Sequence, residues 1–165
     1  MMNLIPIGII HSPHQRADGT PIQAALAAGV KGTVEIFPEY VEGLRDLDGF
    51  ERVWLVYWFD RAKAAELVVT PYLDTTPRGL FATRAPCRPN PIGLSAVRLL
   101  AVTGPILQVD GLDILDNTPL LDIKPYIPAF DAFEAKRIGW CAEPRGNGTV
   151  ADGRFEAGGG RNLDT

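Results

Sequence analysis

The sequence predicts a mainly β chain folded as a small single-domain barrel with one or two short helices. Three observations predict it. Short apolar, β-branched runs recur along the chain, and Gly, Pro and Asn separate them. Helical periodicity is scarce. Nothing alternates strand and helix at the spacing of a doubly wound sheet. At 165 residues and 46% hydrophobic the chain suits one domain with a buried core, and the barrel is expected over residues 1–142.

Residues 4–11 (LIPIGIIH) read as an early strand bent at its Pro and Gly. Residues 22–28 (IQAALAA) read as a helix, with Pro21 at its start and Gly29 as its stop. Residues 33–37 form a short strand bounded by Gly32 and Pro38. Residues 41–47 suit a short helical turn, and residues 61–67 another. Between them, residues 53–59 (VWLVYWF) read as a central strand buried on both faces. Residues 94–102, 106–109, 111–115 and 120–123 complete the strands. From residue 143 onward Gly accumulates and large apolar residues thin out. The reading is a mobile tail over 143–165 with Phe155 as an anchor.

Composition excludes several classes. No apolar run reaches the ~20 residues of a membrane span. The opening MMNLIPIG lacks the basic and apolar regions of a signal peptide. Cys87 and Cys141 are too few for a disulfide framework, and with two histidines too few for a zinc site of Cys and His alone. The expectation is a cytoplasmic protein without metal. The usual glycine-rich nucleotide cradles are missing.

Net charge is −4, but the charges are segregated. Residues 75–109 hold no Asp or Glu and four arginines, Arg78, Arg84, Arg88 and Arg98, which leaves −8 on the remainder. On one surface these arginines make a cationic face for phosphate, a carboxylate or an acidic partner. Spread around the surface, they make none.

Three stretches carry chemistry. In residues 81–95 (FATRAPCRPNPIGLS), Pro86, Pro89 and Pro91 stiffen a loop holding Arg84, Arg88 and Asn90. Such a loop reads an anion or an amide, or it closes a barrel with its arginines on carbonyls. In residues 111–128, Asp113, Asp116 and Asp122 alternate with apolar residues, where an unpaired carboxylate is costly. Lys124 shares a strand face with Asp122, and the two suit a simple ion pair. In residues 11–23, Pro21, Ile22 and Gln23 open the alanine-rich helix, whose free N–H groups suit a ligand or an ordinary cap. No nucleophile–base set is present, so a mechanism that works by positioning fits best.

These stretches resemble the TsaA-like family (also called YaeB-like, or TrmO). The marks are IGIIHSP at 7–13, GFERVWLVYWF at 49–59, FATRAPCRPNPIGLS at 81–95 and DILDNTPLLDIKPYIP at 113–128. The resemblance implies a small β-barrel methyltransferase that binds S-adenosylmethionine (SAM) near the interface of a homodimer. The implied activity is N6-methylation of threonylcarbamoyladenosine at position 37 of tRNA. It assigns cofactor contacts to Pro21, Ile22 and Gln23, to Asp60 and Arg61, to Arg84, to Leu94, and to Asp113, Ile114, Leu115 and Asp116. Family members often carry His-Gln where this chain has Asp60-Arg61. Arg88 and Asn90 are the expected substrate contacts, and Asp122, Asn90 and Lys124 the expected catalytic residues. Asp122 and Asp113 both stand as candidate bases. Longer members add a C-terminal domain, so the chain resembles a short form. Two other readings are a SAM-dependent methyltransferase of a small molecule, which lacks salt-dependent RNA affinity, and a SAM-binding module that turns nothing over.

Overall fold

The structure is a computed structural model, and it describes residues 3–146 and 148–157. The strands are β1 (Gly8–His11), β2 (Lys31–Ile36), β3 (Arg52–Trp58), β4 (Val68–Val69), β5 (Arg78–Gly79), β6 (Ile92–Thr103), β7 (Ile106–Asp110) and β8 (Thr118–Pro125). Six of them close an antiparallel barrel in the order β1-β2-β7-β6-β3-β8. The predicted mainly β barrel is therefore the fold. The pair β4–β5 stands apart as a two-stranded sheet.

Alternation builds the core. Val53, Leu55 and Tyr57 of β3 point inward, beside Val97 and Leu99 of β6 and Leu107 and Val109 of β7. The expectation that residues 53–59 are buried on both faces fails for this reason. Trp54 and Val56 are only half-buried on the outer face, and Trp58 is exposed. Gly93 of β6 leaves room for the inward Tyr57 ring, because a Cβ there would lie 2.2 Å from Tyr57 Cε2.

Residues 111–115 are not a strand. Gly111 takes φ +92, which ends the pleat, and its N–H donates to Val30 O at 3.0 Å. Leu112 and Ile114 then plug one end of the barrel core. Their alternation is real, but it fills an end rather than a sheet face. Helix is also shorter than expected. Residues 22–28 give one 3₁₀ turn, Ala24–Leu26, with no side-chain cap. Residues 41–47 fall across two 3₁₀ turns, Pro38–Leu44 and Leu47–Gly49, parted at Asp46 with φ +65. Residues 61–67 form no helix. So few residues do not nucleate an α-helix without a cap or a packed face. A single α-helical turn, α1 (Pro128–Asp131), follows the barrel.

A second apolar cluster joins Val69, Leu80, Ala85, Cys87 and Phe155, with Tyr72 against it. It ties the arginine-bearing loop to the C-terminal segment. Burial pushes the Cys87 thiol up, away from a reactive thiolate. Residues 149–157 run as a strap across the barrel. Val150 bridges Pro21, Ala151 N donates to Thr20 O at 2.7 Å, and Ala157 N donates to Arg61 O at 3.0 Å. Residues 158–165 of the expected tail lie outside the described residues.

Candidate functional site

A cleft of 410 Å³ opens between the strap, the arginine-bearing loop and the plugged barrel end. That volume falls in the range of small-molecule sites. Its walls come from distant stretches of chain: Pro21–Gln23, Asp60–Arg61, Arg84, Leu94 and Asp113–Leu115. These are the sequence-predicted ligand positions, with one exception. Asp116 turns the other way, where Ser12 N, Gln15 Nε2 and Asn117 Nδ2 donate to its carboxylate at 3.1, 3.3 and 3.1 Å. Partial burial pushes its pKa up, but those donors and His11 outweigh it and hold the group below the usual range.

Each wall is fixed by its own bonds. Ile22 N donates to Thr149 O at 3.1 Å, so the strap holds the Pro21 wall. Gln23 is extended (φ −150, ψ 147), and its Oε1 accepts from Arg84 Nη1 at 2.6 Å. Gln23 therefore spends its amide on Arg84 instead of capping the turn that follows. Arg61 Nη2 donates to Asp116 O at 2.7 Å and to Thr118 Oγ1 at 3.0 Å, which pins the end of β3 to the turn before β8. Arg84 makes no ion pair among the described residues, and its guanidinium keeps donors free toward the cleft.

Asp113 is the half-buried carboxyl of the site. Ser95 Oγ donates to its Oδ1 at 2.6 Å, and Tyr57 Oη lies 3.1 Å from Ser95 Oγ. Burial raises the Asp113 pKa, and the Ser95 bond, its own backbone N–H and nearby His14 only partly offset this. Burial and the Asp113 charge also push the Tyr57 phenol well above its ordinary value, so Tyr57 stays protonated. The chain Tyr57–Ser95–Asp113 was not singled out from the sequence. Its signal was available: Ser95 falls in the inward phase of β6, between Gly93 and Val97. Tyr57, Phe59, Tyr72 and Phe155 add aromatic walls. The strap residues Ala151, Phe155 and Glu156 also line the cleft, and only Phe155 had been read as an anchor.

Of the remaining predicted residues, Asp122, Lys124 and Asn90 are not brought into the cleft. Lys124 Nζ and Asp122 Oδ2 pair at 2.8 Å on the outside of β8, which is the simple ion pair. Asn90 is exposed in the proline-rich loop. Arg88 borders the cleft but is committed to its own loop, donating to Thr83 O at 3.1 Å and Ala85 O at 3.3 Å. Its guanidinium also lies 5.6 Å from the Phe81 ring centroid. Among the described residues, no three His, Cys, Asp or Glu side chains are placed to hold a metal ion. No helix there is long and apolar enough to cross a membrane.

Residues 9–132 match the model of the tRNA-methyltransferase O N-terminal domain. A probable S-adenosyl-L-methionine-binding protein of Pyrococcus abyssi is 56% identical over 135 residues, 82% of this chain and 73% of that protein. The tRNA (adenine(37)-N6)-methyltransferase of Escherichia coli is 36% identical over 132 residues, 74% of this chain and 56% of its own length. A crystal structure of TrmO from Pseudomonas aeruginosa superposes with a TM-score of 0.71 at 39% identity, over 84% of this chain and 62% of that one.

Proposed function

The chain belongs to the family of the tRNA-methyltransferase O N-terminal domain, and from that premise we propose that it is a SAM-dependent tRNA methyltransferase. The proposed acceptor is N6 of threonylcarbamoyladenosine at position 37. The observation that carries this reading is the convergence of Pro21–Gln23, Asp60–Arg61, Arg84, Leu94 and Asp113–Leu115 on one cleft.

The residues fit the cofactor. SAM joins an anionic carboxylate, a cationic sulfonium and an adenine ring. Arg84, oriented by Gln23, would hold the carboxylate. Leu94 and the aromatic walls Phe59 and Tyr72 take the apolar and ring surfaces. When bound, the cofactor supplies an electrophilic methyl group. The chain's work is then alignment of donor and acceptor in a partly closed cleft. Asp113 takes the proton that the acceptor nitrogen loses. Its burial raises its basicity, and Ser95 fixes its orientation. Asp122 is the weaker candidate base, because Lys124 occupies it outside the cleft. Asp122, Lys124 and Asn90 are proposed as RNA contacts outside the cleft, and Arg88 stiffens its loop through Thr83 O and Ala85 O.

The protein is further proposed to work as a homodimer in the cytoplasm, where its tRNA substrate is found. Trp58 and Ile92 are cross-strand partners on the outer face of β3 and β6, and Leu94 follows two residues on. All three are exposed, which suits a second copy packed there.

Calorimetry with SAM tests the cofactor on wild type and Arg84→Ala, and methyl transfer to tRNA tests the acceptor. Wild type is expected to bind SAM, the variant to bind at least tenfold more weakly, and transfer to need the threonylcarbamoyl group. Equal transfer to tRNA with and without that group would overturn the acceptor, and no binding at millimolar SAM would overturn the whole reading.

A further inference from the structure

A second cleft, of 600 Å³, adjoins the first and shares Gln23, Trp54, Arg84 and Leu94 with it. It carries a like-charge conflict. Arg52 of β3 and Arg98 of β6 are direct cross-strand partners on the outer face, and both are exposed. Like charges at that spacing destabilise a sheet. Two carboxylates, Glu51 and Asp110, neighbour Arg98, and neither pairs with Arg52 among the described residues. Arg52 makes no ion pair among the described residues. Among the described residues Arg98 makes one ion pair, with Glu51 at 3.8 Å between two exposed side chains. Asp110, the β7 partner of Arg98, also lines this cleft, where its Oδ1 accepts from Gly29 N at 2.8 Å. Arg84 closes the cleft from the loop side. Next to the arginine pair, Trp54 and Tyr126 sit with ring centroids 5.4 Å apart at 58°.

We infer that this cleft is a phosphodiester subsite, in which Arg52 and Arg98 grip the backbone of single-stranded RNA beside the nucleotide that enters the first cleft. A phosphate between the two guanidiniums turns the repulsion into a bidentate clamp. Trp54 and Tyr126 offer ring faces to an unstacked base, which an acidic peptide would not use. The inference rests on the RNA substrate proposed above. It also gives two arginines of the acid-poor stretch a common groove. Arg78 is spent on Asp74, with 2.8 Å from its Nε, whereas Arg84 and Arg98 reach one groove and recruit Arg52 from β3.

The test is equilibrium binding of a synthetic anticodon stem-loop RNA across a salt series, with wild type, Arg52→Gln, Arg98→Gln and Arg52→Lys. Each Gln variant is expected to weaken RNA binding several-fold and to flatten the log affinity–log salt slope by about 0.7, the value for one lost single-strand phosphate contact. SAM affinity should stay unchanged. The melting temperature should hold or rise as the repulsion is removed, which a merely structural role would not give. Arg52→Lys should keep most of the slope. If the Gln variants bind RNA with wild-type affinity and slope, the subsite is wrong while the methyltransferase reading stands. If polyglutamate competes as well as RNA, the cleft reads an acidic chain and the RNA subsite is overturned. If wild type binds no RNA at all, the substrate reading fails and the subsite fails with it.

Discussion

Two residues show how closely the barrel interior and the cleft are joined. At Gly93 any side chain collides with the Tyr57 ring, whose Cε2 and Cζ would lie 2.2 and 2.3 Å from the new Cβ. An aromatic ring wedged in a core cannot yield as a flexible chain would, so overpacking of about 1–3 kcal/mol is expected. Gly93→Ala should lower the melting temperature by several degrees and, by displacing Tyr57 from Ser95, weaken SAM binding as well. A variant with wild-type melting and affinity would show that the ring moves freely. Asp113 makes the complementary case. Its folded pKa is raised, chiefly by burial, so just above the ordinary carboxylate range the folded state binds this proton more tightly than the unfolded state does. Its contribution to stability is therefore present at low pH and lost as pH rises above about 4, the ordinary carboxylate value. Asp113→Asn keeps an acceptor for Ser95 but cannot ionise. The variant should gain stability relative to wild type between pH 4 and pH 8, while losing methyl transfer. Thermal melts across that range check the sign, and a gap that narrows with rising pH would count against a raised pKa.

At the scale of elements, the strap decides whether the cleft has walls. Phe155 is 4% exposed, inserts into the cluster of Val69, Leu80 and Cys87, and meets Tyr72 edge-on at 5.1 Å. Around it, backbone bonds join the strap to Thr20, Ile22 and Arg61. Phe155→Ala should cost about 3 kcal/mol and loosen the Pro21 and Arg61 walls together. Both the melting temperature and SAM affinity should fall, and Phe155→Leu should restore part of each. Loss of stability alone, with affinity intact, would mean that the walls stand without the strap. This element was only half legible in the sequence. Phe155 stands out in a glycine-rich stretch, but its partners lie far away in the chain, and no local pattern names them. The strands were legible because their alternation is local: Val53, Leu55 and Tyr57 repeat at two residues whatever surrounds them. The segment 111–115 misled for the same reason. Leu112 and Ile114 keep strand alternation, and only the positive φ of Gly111 takes them out of the sheet. The helix over 22–28 misled because Gln23 looks like a helix opener, yet its amide belongs to Arg84. Most cleft residues were reached through motif resemblance, whereas the outward turn of Asp116 depends on Ser12 and Gln15, across the barrel end.

For the whole molecule, the cleft joins parts that the chain order keeps apart. Its lining runs from Ala17 to Glu156 and draws on the barrel, the arginine-bearing loop and the strap. A ligand held there contacts all three at once. It binds the folded state and finds no such surface in the unfolded chain, so it stabilises by RT ln(1 + [L]/Kd), about 2.7 kcal/mol at one hundred times Kd. For a chain of this size that corresponds to a rise of about 5–10 °C in melting temperature. The rise should be shared by every probe of unfolding. Tryptophan fluorescence follows the outer barrel face through Trp54 and Trp58, and Trp140, whose Nε1 donates to Ala82 O at 2.8 Å, follows the arginine-bearing loop. Far-ultraviolet dichroism follows the barrel itself. If saturating SAM raises both transitions together, the loop, strap and barrel unfold as one unit built around the cleft. A Trp140 signal, read in a variant with Trp54 and Trp58 replaced by Phe, that shifts while the barrel transition stays in place would mean that the ligand orders only the loop and strap, and that the barrel stands independently of its site.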